Sequence, residues 1–279
     1  SDDAQISEPT RDFLRDATYV DDGASSSQDM ATVELIANEL GPLYHKYSFK
    51  LKHCLKNYAG CKGKTTDDTH EEILGLQWDF VKDTLRPYLT IYLSSKKRGL
   101  YTDSELSTEA IQAVTITQRT MLRVAGQCYD LSGRSICPVL MAARLIYGSI
   151  CKLKLGWDGE CLDKTIASNS RKFLNELLQV CKTLQPVPRA WVPIGNEFEE
   201  VICPVDGGEQ GFSAHGYVRS ENTKHGSYCS RLGVARCKVS NLSVPDNEQA
   251  SLLLGLRVVE HMLTVLPEAP IRNIGVSFL

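Results

Sequence analysis

Hydrophobic residues recur with two different spacings along the chain. Between residues 28 and 45 apolar side chains return every three or four positions, which predicts an amphipathic helix. From residue 197 onward apolar and polar residues alternate instead, which is typical of strands. Further predicted helices span 107–128, 136–154, 160–184 and 246–265, and predicted strands span 18–23, 48–55, 73–81, 88–93, 198–205, 211–219, 228–239 and 271–278.

The order of these elements predicts a chain of mixed α+β and α/β class in four parts. Residues 1–17 are polar and are expected to form a loose N-terminal segment. Strands and one helix occupy 18–104, and helices alone occupy 105–190. Residues 191–279 hold three strands, a helix and a last strand, which is the order in which an RNase H-like domain begins.

Composition indicates a folded chain without a strongly basic surface. Of the 279 residues 42% are hydrophobic and 23% are charged, which allows a packed core. The formal net charge is -3, which argues against binding to nucleic acid by bulk charge but leaves a local basic groove possible.

The cysteines and the apolar segments indicate an intracellular protein. The ten cysteines are spread singly, with no CxxC pair, which favours free thiols in the reducing environment of the cytoplasm or nucleus. No apolar run approaches the roughly 18 residues needed to cross a bilayer. The polar N-terminus does not resemble a signal peptide, so no contact with a membrane is expected.

Four stretches of the sequence carry a family resemblance. The first is Tyr19-Val20-Asp21-Asp22 with Phe49-Lys50-Leu51-Lys52, which resembles the YxDD hairpin of a reverse transcriptase palm and the strand after it. The second, Ile73 to Asp79, resembles the LGLxW stretch beyond the palm, and the third, Leu153 to Asp158, resembles the LKLGWD stretch of the connection. The fourth is Val205-Asp206-Gly207-Gly208 with Val244 to Glu248, which resembles the Asp strand and Glu helix of an RNase H domain. In this order, the four stretches resemble the polyprotein of BEL/Pao-type LTR retrotransposons.

The resemblance implies a partial palm, a helical connection and a truncated RNase H-like mixed sheet with a helix. It also implies two sets of metal ligands: Asp21 and Asp22 for the polymerase, and Asp206 and Glu248 for RNase H. The upstream palm strand and the later RNase H carboxylates would lie outside the printed sequence. Neither set is therefore expected to be active, and Mg²⁺ is expected only if further segments complete a site. The alternative is that these carboxylates are a solvated turn and ordinary surface residues.

Basic residues with interleaved aromatic residues keep a nucleic-acid surface possible. In a polymerase such residues would flank the primer and template, whereas here the favoured interpretation is solvated faces that balance nearby acidic residues. The candidates are Lys50, Lys52, Lys56, Lys96, Lys97 and Arg98.

Three functions are compatible with these patterns. The favoured one is a retroelement-derived, non-catalytic module that binds another protein or a second copy of itself. The alternatives are a fragment of an active RNA-directed DNA polymerase with RNase H, and a non-catalytic nucleic-acid-binding protein. The third resembling stretch also leads us to expect that Trp157 is buried in the helical part.

Overall fold

The computed structural model describes residues 6–19, 22–27, 29–51, 70–93, 106–130, 132–193, 195–266 and 273–278. These residues form α-helices and β-sheets, which confirms the predicted mixed class. The chain divides into two compact units, Ser1–Thr84 and Leu85–Leu279, and each is described by itself. The four-part division at residues 17, 104 and 190 stays a prediction.

The first unit begins with a helix where the sequence indicates a loose segment. Ser7 starts this helix because its side chain accepts the backbone N–H of Thr10. The Ser7 hydroxyl also donates to Glu39 Oε2 at 2.7 Å, so the helix is tied to the following long helix. The expectation of a loose segment over residues 8–16 was therefore wrong. The elements of this unit are α1 (Glu8–Asp16), β1 (Thr18–Tyr19), β2 (Asp22–Gly23), α2 (Met30–Lys46), β3 (His70–Ile73) and β4 (Leu76–Asp79).

Two tight turns shape the strands of this unit. The predicted hairpin near residue 20 is confirmed, because β1 and β2 pair antiparallel with Tyr19 opposite Asp22. The predicted strand 73–81 is instead split into a β3–β4 hairpin, since Leu74 and Gly75 both have positive φ, as a two-residue hairpin turn requires. Ser48 also has positive φ, and residues 49–51 do not continue as the predicted strand.

The second unit opens with a helical block. The predicted helix 107–128 is broken at residues 114–117, because Thr117 caps a new helix by accepting the Thr120 N–H. Met121, Val124 and Leu174 are fully buried in the core of the block. The elements are β5 (Thr84–Pro87), α3 (Thr108–Ala113), α4 (Gln118–Gln127), α5 (Cys137–Lys152), α6 (Lys164–Thr183) and β6 (Val187–Pro188).

Trp157 is not buried as the sequence resemblance suggests. Its side chain is 49% exposed, and the Arg119 guanidinium lies 5.8 Å from the centre of its ring. Arg119 also donates to Asp158 at 2.7 Å and donates its backbone N–H to the Trp157 carbonyl. This tryptophan is therefore part of a surface cluster after α5, held by one arginine.

A four-stranded mixed sheet follows the helical block. Its strand order is β10-β7-β8-β9, with β7, β8 and β9 antiparallel and β10 parallel to β7. A parallel neighbour needs a crossover, and the helix between β9 and β10 supplies it. The elements are β7 (Glu197–Gly208), β8 (Gly211–Asn222), β9 (Ser227–Val239), α7 (Val244–Val265) and β10 (Asn273–Phe278).

Helix α7 packs on one face of this sheet through a second apolar core. Val201, Cys203 and Val205 alternate along β7 and are buried against α7, where Val258 and Met262 are also buried. The alternation is the period of two that the sequence shows from residue 197 onward. The sheet and its helix are thus built as the sequence predicts, within a few residues at each end.

The loop between α4 and α5 covers the edge strand β9. The Ala235 N–H and the Arg236 Nη1 both donate to the Ser132 carbonyl, at 2.9 and 2.8 Å. Gly133 lies so close that a Cβ there would be 2.0 Å from the Ala235 carbonyl oxygen, and its φ is positive. The Asp130 carboxylate stabilises the loop, because it accepts hydrogen bonds from the N–H groups of Gly133, Ser135 and Ile136 at 2.8–3.0 Å.

No helix within the described ranges combines the length and the apolar character required to cross a membrane.

We expect Asp130→Ala to lower the free energy of unfolding by about 2–4 kcal/mol, because the loop N–H groups lose their acceptor in a protein interior. Urea unfolding followed by circular dichroism measures this loss. Asp158→Ala is the matched control, since the ion pair that Asp158 forms with Arg119 is exposed and its loss should change stability little. Equal losses in the two variants would contradict the role given to Asp130.

Candidate metal centre

The end of β7 meets the first turns of α7 backbone to backbone. A Cβ built on Gly207 would lie 2.4 Å from the Glu248 nitrogen and 2.7 Å from the Asn247 carbonyl oxygen. Only glycine permits this approach. Asp206 directly precedes Gly207 in the chain, and Glu248 directly follows Asn247. One predicted RNase H carboxylate is therefore next to this backbone contact, and the other belongs to a residue whose nitrogen takes part in it.

Both carboxylates of this pair face solvent. Asp206 and Glu248 are exposed, and alternation along β7 turns Asp206 away from Gly207 and toward the open side of the strand. A Cβ on Gly208 would meet nothing within 4 Å, so the space beside Asp206 is free. The two side chains can bind the same ion only if they extend beyond the end of β7, past Gly207 and Gly208.

Asn247 locks the position of this contact. It is fully buried, and its Nδ2 donates to the Gly208 carbonyl at 2.7 Å and to the Leu242 carbonyl at 3.4 Å. Its Oδ1 is buried and accepts no hydrogen bond in the structure. Asn247 thus fixes the start of α7 against the end of β7 and positions Glu248.

Local sequence explains why α7 begins where it does. Ser243 is the N-cap: its hydroxyl accepts the Asp246 N–H and donates to the Asp246 carboxylate at 2.6 Å. Pro245 lies in the first turn, where a missing N–H costs nothing. This cap places Asn247 and Glu248 in the first two turns of the helix.

Gly207 and Asn247 are positioning residues that the sequence analysis missed. The sequence shows two successive glycines after Asp206, but not the contact that Gly207 allows. An asparagine directly before the candidate Glu248, behind a Ser-x-Pro helix start, was the signal available for the second residue.

The remaining predicted site residues are not joined to this pair. Asp21 lies outside the described residues, and only the backbone of Asp22 is described, in β2. Lys50 is exposed at the end of the segment after α2. The other nucleic-acid candidates, Lys52, Lys56, Lys96, Lys97 and Arg98, also lie outside the described residues.

The pair fits a weak Mg²⁺ site. Carboxylate oxygens are the ligands Mg²⁺ prefers, and in phosphoryl-transfer sites it uses one or two carboxylates together with waters and substrate phosphates. Within the part of the chain that the structure describes, no three His, Cys, Asp or Glu residues cluster as metal ligands. Asp206 and Glu248 can therefore hold an ion only with oxygens from another source.

Two titratable groups on β7 and β8 have shifted pKa values. Burial raises the pKa of the Cys203 thiol to about 11, although the His215 backbone N–H partly opposes the shift. Burial also lowers the pKa of the half-buried His215 imidazole. Burial therefore disfavours the charged form of both groups.

Comparison with known proteins agrees with this fold. A model of the family described as "Pao retrotransposon-like RNaseH-like domain" matches residues 117–276, more than half of the chain. The match runs from the cap of α4 into β10, and so includes the helices α4–α6 together with the sheet and α7. No curated protein matches the chain. The resemblance to a Pao element is confirmed for this part, whereas the stretches that resemble the palm, between residues 19 and 79, lie outside the match.

We expect Gly207→Ala to lower the free energy of unfolding by about 1–3 kcal/mol, because α7 must move away from β7 to admit the methyl group. Gly208→Ala is the neighbouring control and should cost less than about 0.5 kcal/mol, since nothing lies near its added methyl group. Thermal and urea unfolding of both variants test the difference. A tolerated alanine at 207 would show that the backbone contact does not exist.

Proposed function

Because the chain belongs to the family of Pao retrotransposon-like RNaseH-like domains, we propose that it takes part in hydrolysis of RNA paired with DNA, with Asp206 and Glu248 as metal ligands. Its retroelement origin follows from the family. The catalytic role is supported by one observation above all: the glycine contact that places Asp206 and Glu248 on either side of the junction between β7 and α7.

In such a site the metal ion and the protein residues would have different roles. Bound Mg²⁺ would polarise the phosphate and stabilise the charge that develops during hydrolysis. The chain supplies oxygens from Asp206 and Glu248, and Asn247 holds the second of these in place through the Gly208 carbonyl. The open space beside Gly208 leaves room for the phosphodiester backbone to approach.

A cleavage assay tests this proposal directly. The substrate is a fluorescently labelled RNA strand in an RNA–DNA hybrid, with Mg²⁺ or Mn²⁺ present. We expect metal-dependent cleavage that falls at least about 100-fold in Asp206→Asn and in Glu248→Gln, because each loses a ligand worth several kcal/mol to the transition state. Glu260→Gln is the control, since it removes an exposed carboxylate from the same helix away from the pair.

Two results would overturn the catalytic role. One is the absence of metal-dependent cleavage by the intact protein with both cations. The other is cleavage that persists in Asp206→Asn and Glu248→Gln at the level of the Glu260→Gln control, which would assign it to a contaminant or another site.

The palm resemblance of the first unit stays a proposal. Its support is the antiparallel pairing of Tyr19 with Asp22, which forms a hairpin at the position of the YxDD stretch. Polymerase activity would in addition require carboxylates from a further strand.

The second candidate function is a non-catalytic protein-interaction module. It is favoured by the outward face of α7, where Leu253 is 61% and Leu256 is 51% exposed while Leu254 and Val258 are buried on the sheet. Exposed leucines on an otherwise amphipathic helix are typical of surfaces that bind another protein. The occupant we propose is a second copy of the chain.

Light scattering across a range of protein concentrations tests this self-association. We expect a dimer that the double variant Leu253→Glu, Leu256→Glu converts to a monomer, because burying two carboxylates without partners is unfavourable. Arg257→Glu changes charge on the same exposed face and keeps both leucines, so it should remain dimeric. A monomeric wild-type protein at all concentrations would reject this candidate.

A further inference from the structure

Two cysteines from different elements meet where α5 packs against β9. Cys137 is the first residue of α5, and Cys237 lies near the end of β9. The Cys237 thiol donates a hydrogen bond to the Cys137 carbonyl oxygen at 3.2 Å. They are separated by 100 residues in sequence but are direct neighbours in the fold.

The surroundings of Cys237 favour its thiolate. The neighbouring Cys137 side chain holds the pKa of the Cys237 thiol below its usual range, with help from Arg144 and the Met141 N–H, while burial opposes the shift. The Cys237 side chain and burial together raise the pKa of Cys137. Arg144 is held nearby because its Nη1 lies 3.5 Å from the Cys237 carbonyl.

The two cysteines also differ in their exposure to solvent. Cys237 is partly exposed, so a small oxidant can reach it, whereas Cys137 is only 4% exposed. The arrangement is that of an attacking thiolate with a second thiol behind it.

We propose that Cys137 and Cys237 are an oxidation site at which a hydroperoxide forms a disulfide between α5 and β9. The Cys237 thiolate attacks the peroxide O–O bond, which gives a sulfenic acid and releases an alcohol or water. The Cys137 thiol then attacks this sulfur and releases water. In total two thiols lose two electrons and two protons, and one hydroperoxide is reduced to an alcohol and water.

The disulfide would lie beside the contact between the α4–α5 loop and β9. It would fix the start of α5 to β9 next to the loop in which Ser132 accepts hydrogen bonds from Ala235 and Arg236. A thiol reductant would reverse the bond, so the link would form under oxidation and open in a reducing environment.

A second cysteine pair in the same unit serves as an internal comparison. Cys128 is buried and Cys181 lies near it, and burial raises the Cys128 pKa to about 12. At neutral pH the Cys128 thiol is therefore protonated and does not begin the reaction. The proposal therefore predicts that Cys137 and Cys237 oxidise first and that Cys128 stays reduced.

Peptide mapping of the full chain tests the site without any variant. Limiting hydrogen peroxide is followed by alkylation of free thiols and tryptic digestion under non-reducing conditions. Cleavage at Arg134, Arg144, Arg236 and Lys238 leaves the cysteines on peptides 135–144 and 237–238. We expect these two peptides to be linked, to separate on reduction, and to form before Cys128 or Cys229 loses its thiol.

Variants then distinguish the two roles. Cys137→Ser should accumulate a sulfenic acid on Cys237 that a carbon-acid probe traps, whereas Cys237→Ser should leave Cys137 reduced. Cys229→Ser, a partly exposed cysteine on the same strand, should form the link at the wild-type rate. The proposal fails if Cys137 and Cys237 remain alkylated when Cys229 is oxidised, or if Cys237 links to another cysteine or another chain.

Discussion

The close contact between Gly207 and the start of α7 is the constraint on which the second unit depends. A side chain at this position would push α7 from the sheet, and with it the buried row that includes Val258 and Met262. The same contact decides where Glu248 lies relative to Asp206. The packing of α7 on the sheet therefore depends on the lack of a side chain at Gly207, and Asn247 secures the contact with a hydrogen bond to the Gly208 carbonyl.

The sheet and its helix could be predicted from sequence because their patterns are local. Alternation marks β7, β8 and β9, and the Ser243 cap with Pro245 marks the start of α7. The break between α3 and α4 was missed since the apolar spacing continues through it, and only the capping role of Thr117 ends one helix and starts the next. The helix α1 was missed because it is short and polar and depends on the contact from Glu39.

The candidate site was predictable in its residue types but not in its construction. Asp206 and Glu248 were found through a family resemblance, whereas the roles of Gly207 and Asn247 depend on distances between elements that no spacing in the sequence encodes. The expectation for Trp157 was wrong. The resemblance of residues 153–158 suggested burial, yet its side chain is 49% exposed and lies against the Arg119 guanidinium.

The edge of the sheet is closed by the chain itself, and this links the helical block to the candidate site. An exposed edge strand invites pairing with other chains, and here the loop of Ser132 and Gly133 covers β9 instead. Strand β8 lies between β9 and β7. Ser213 of β8 pairs with Cys237 of β9 on one side and with Asp206 of β7 on the other. The pairing places the cysteine and the carboxylate at corresponding positions two strands apart. A change at the α5–β9 junction therefore acts on the same end of the sheet that carries Asp206.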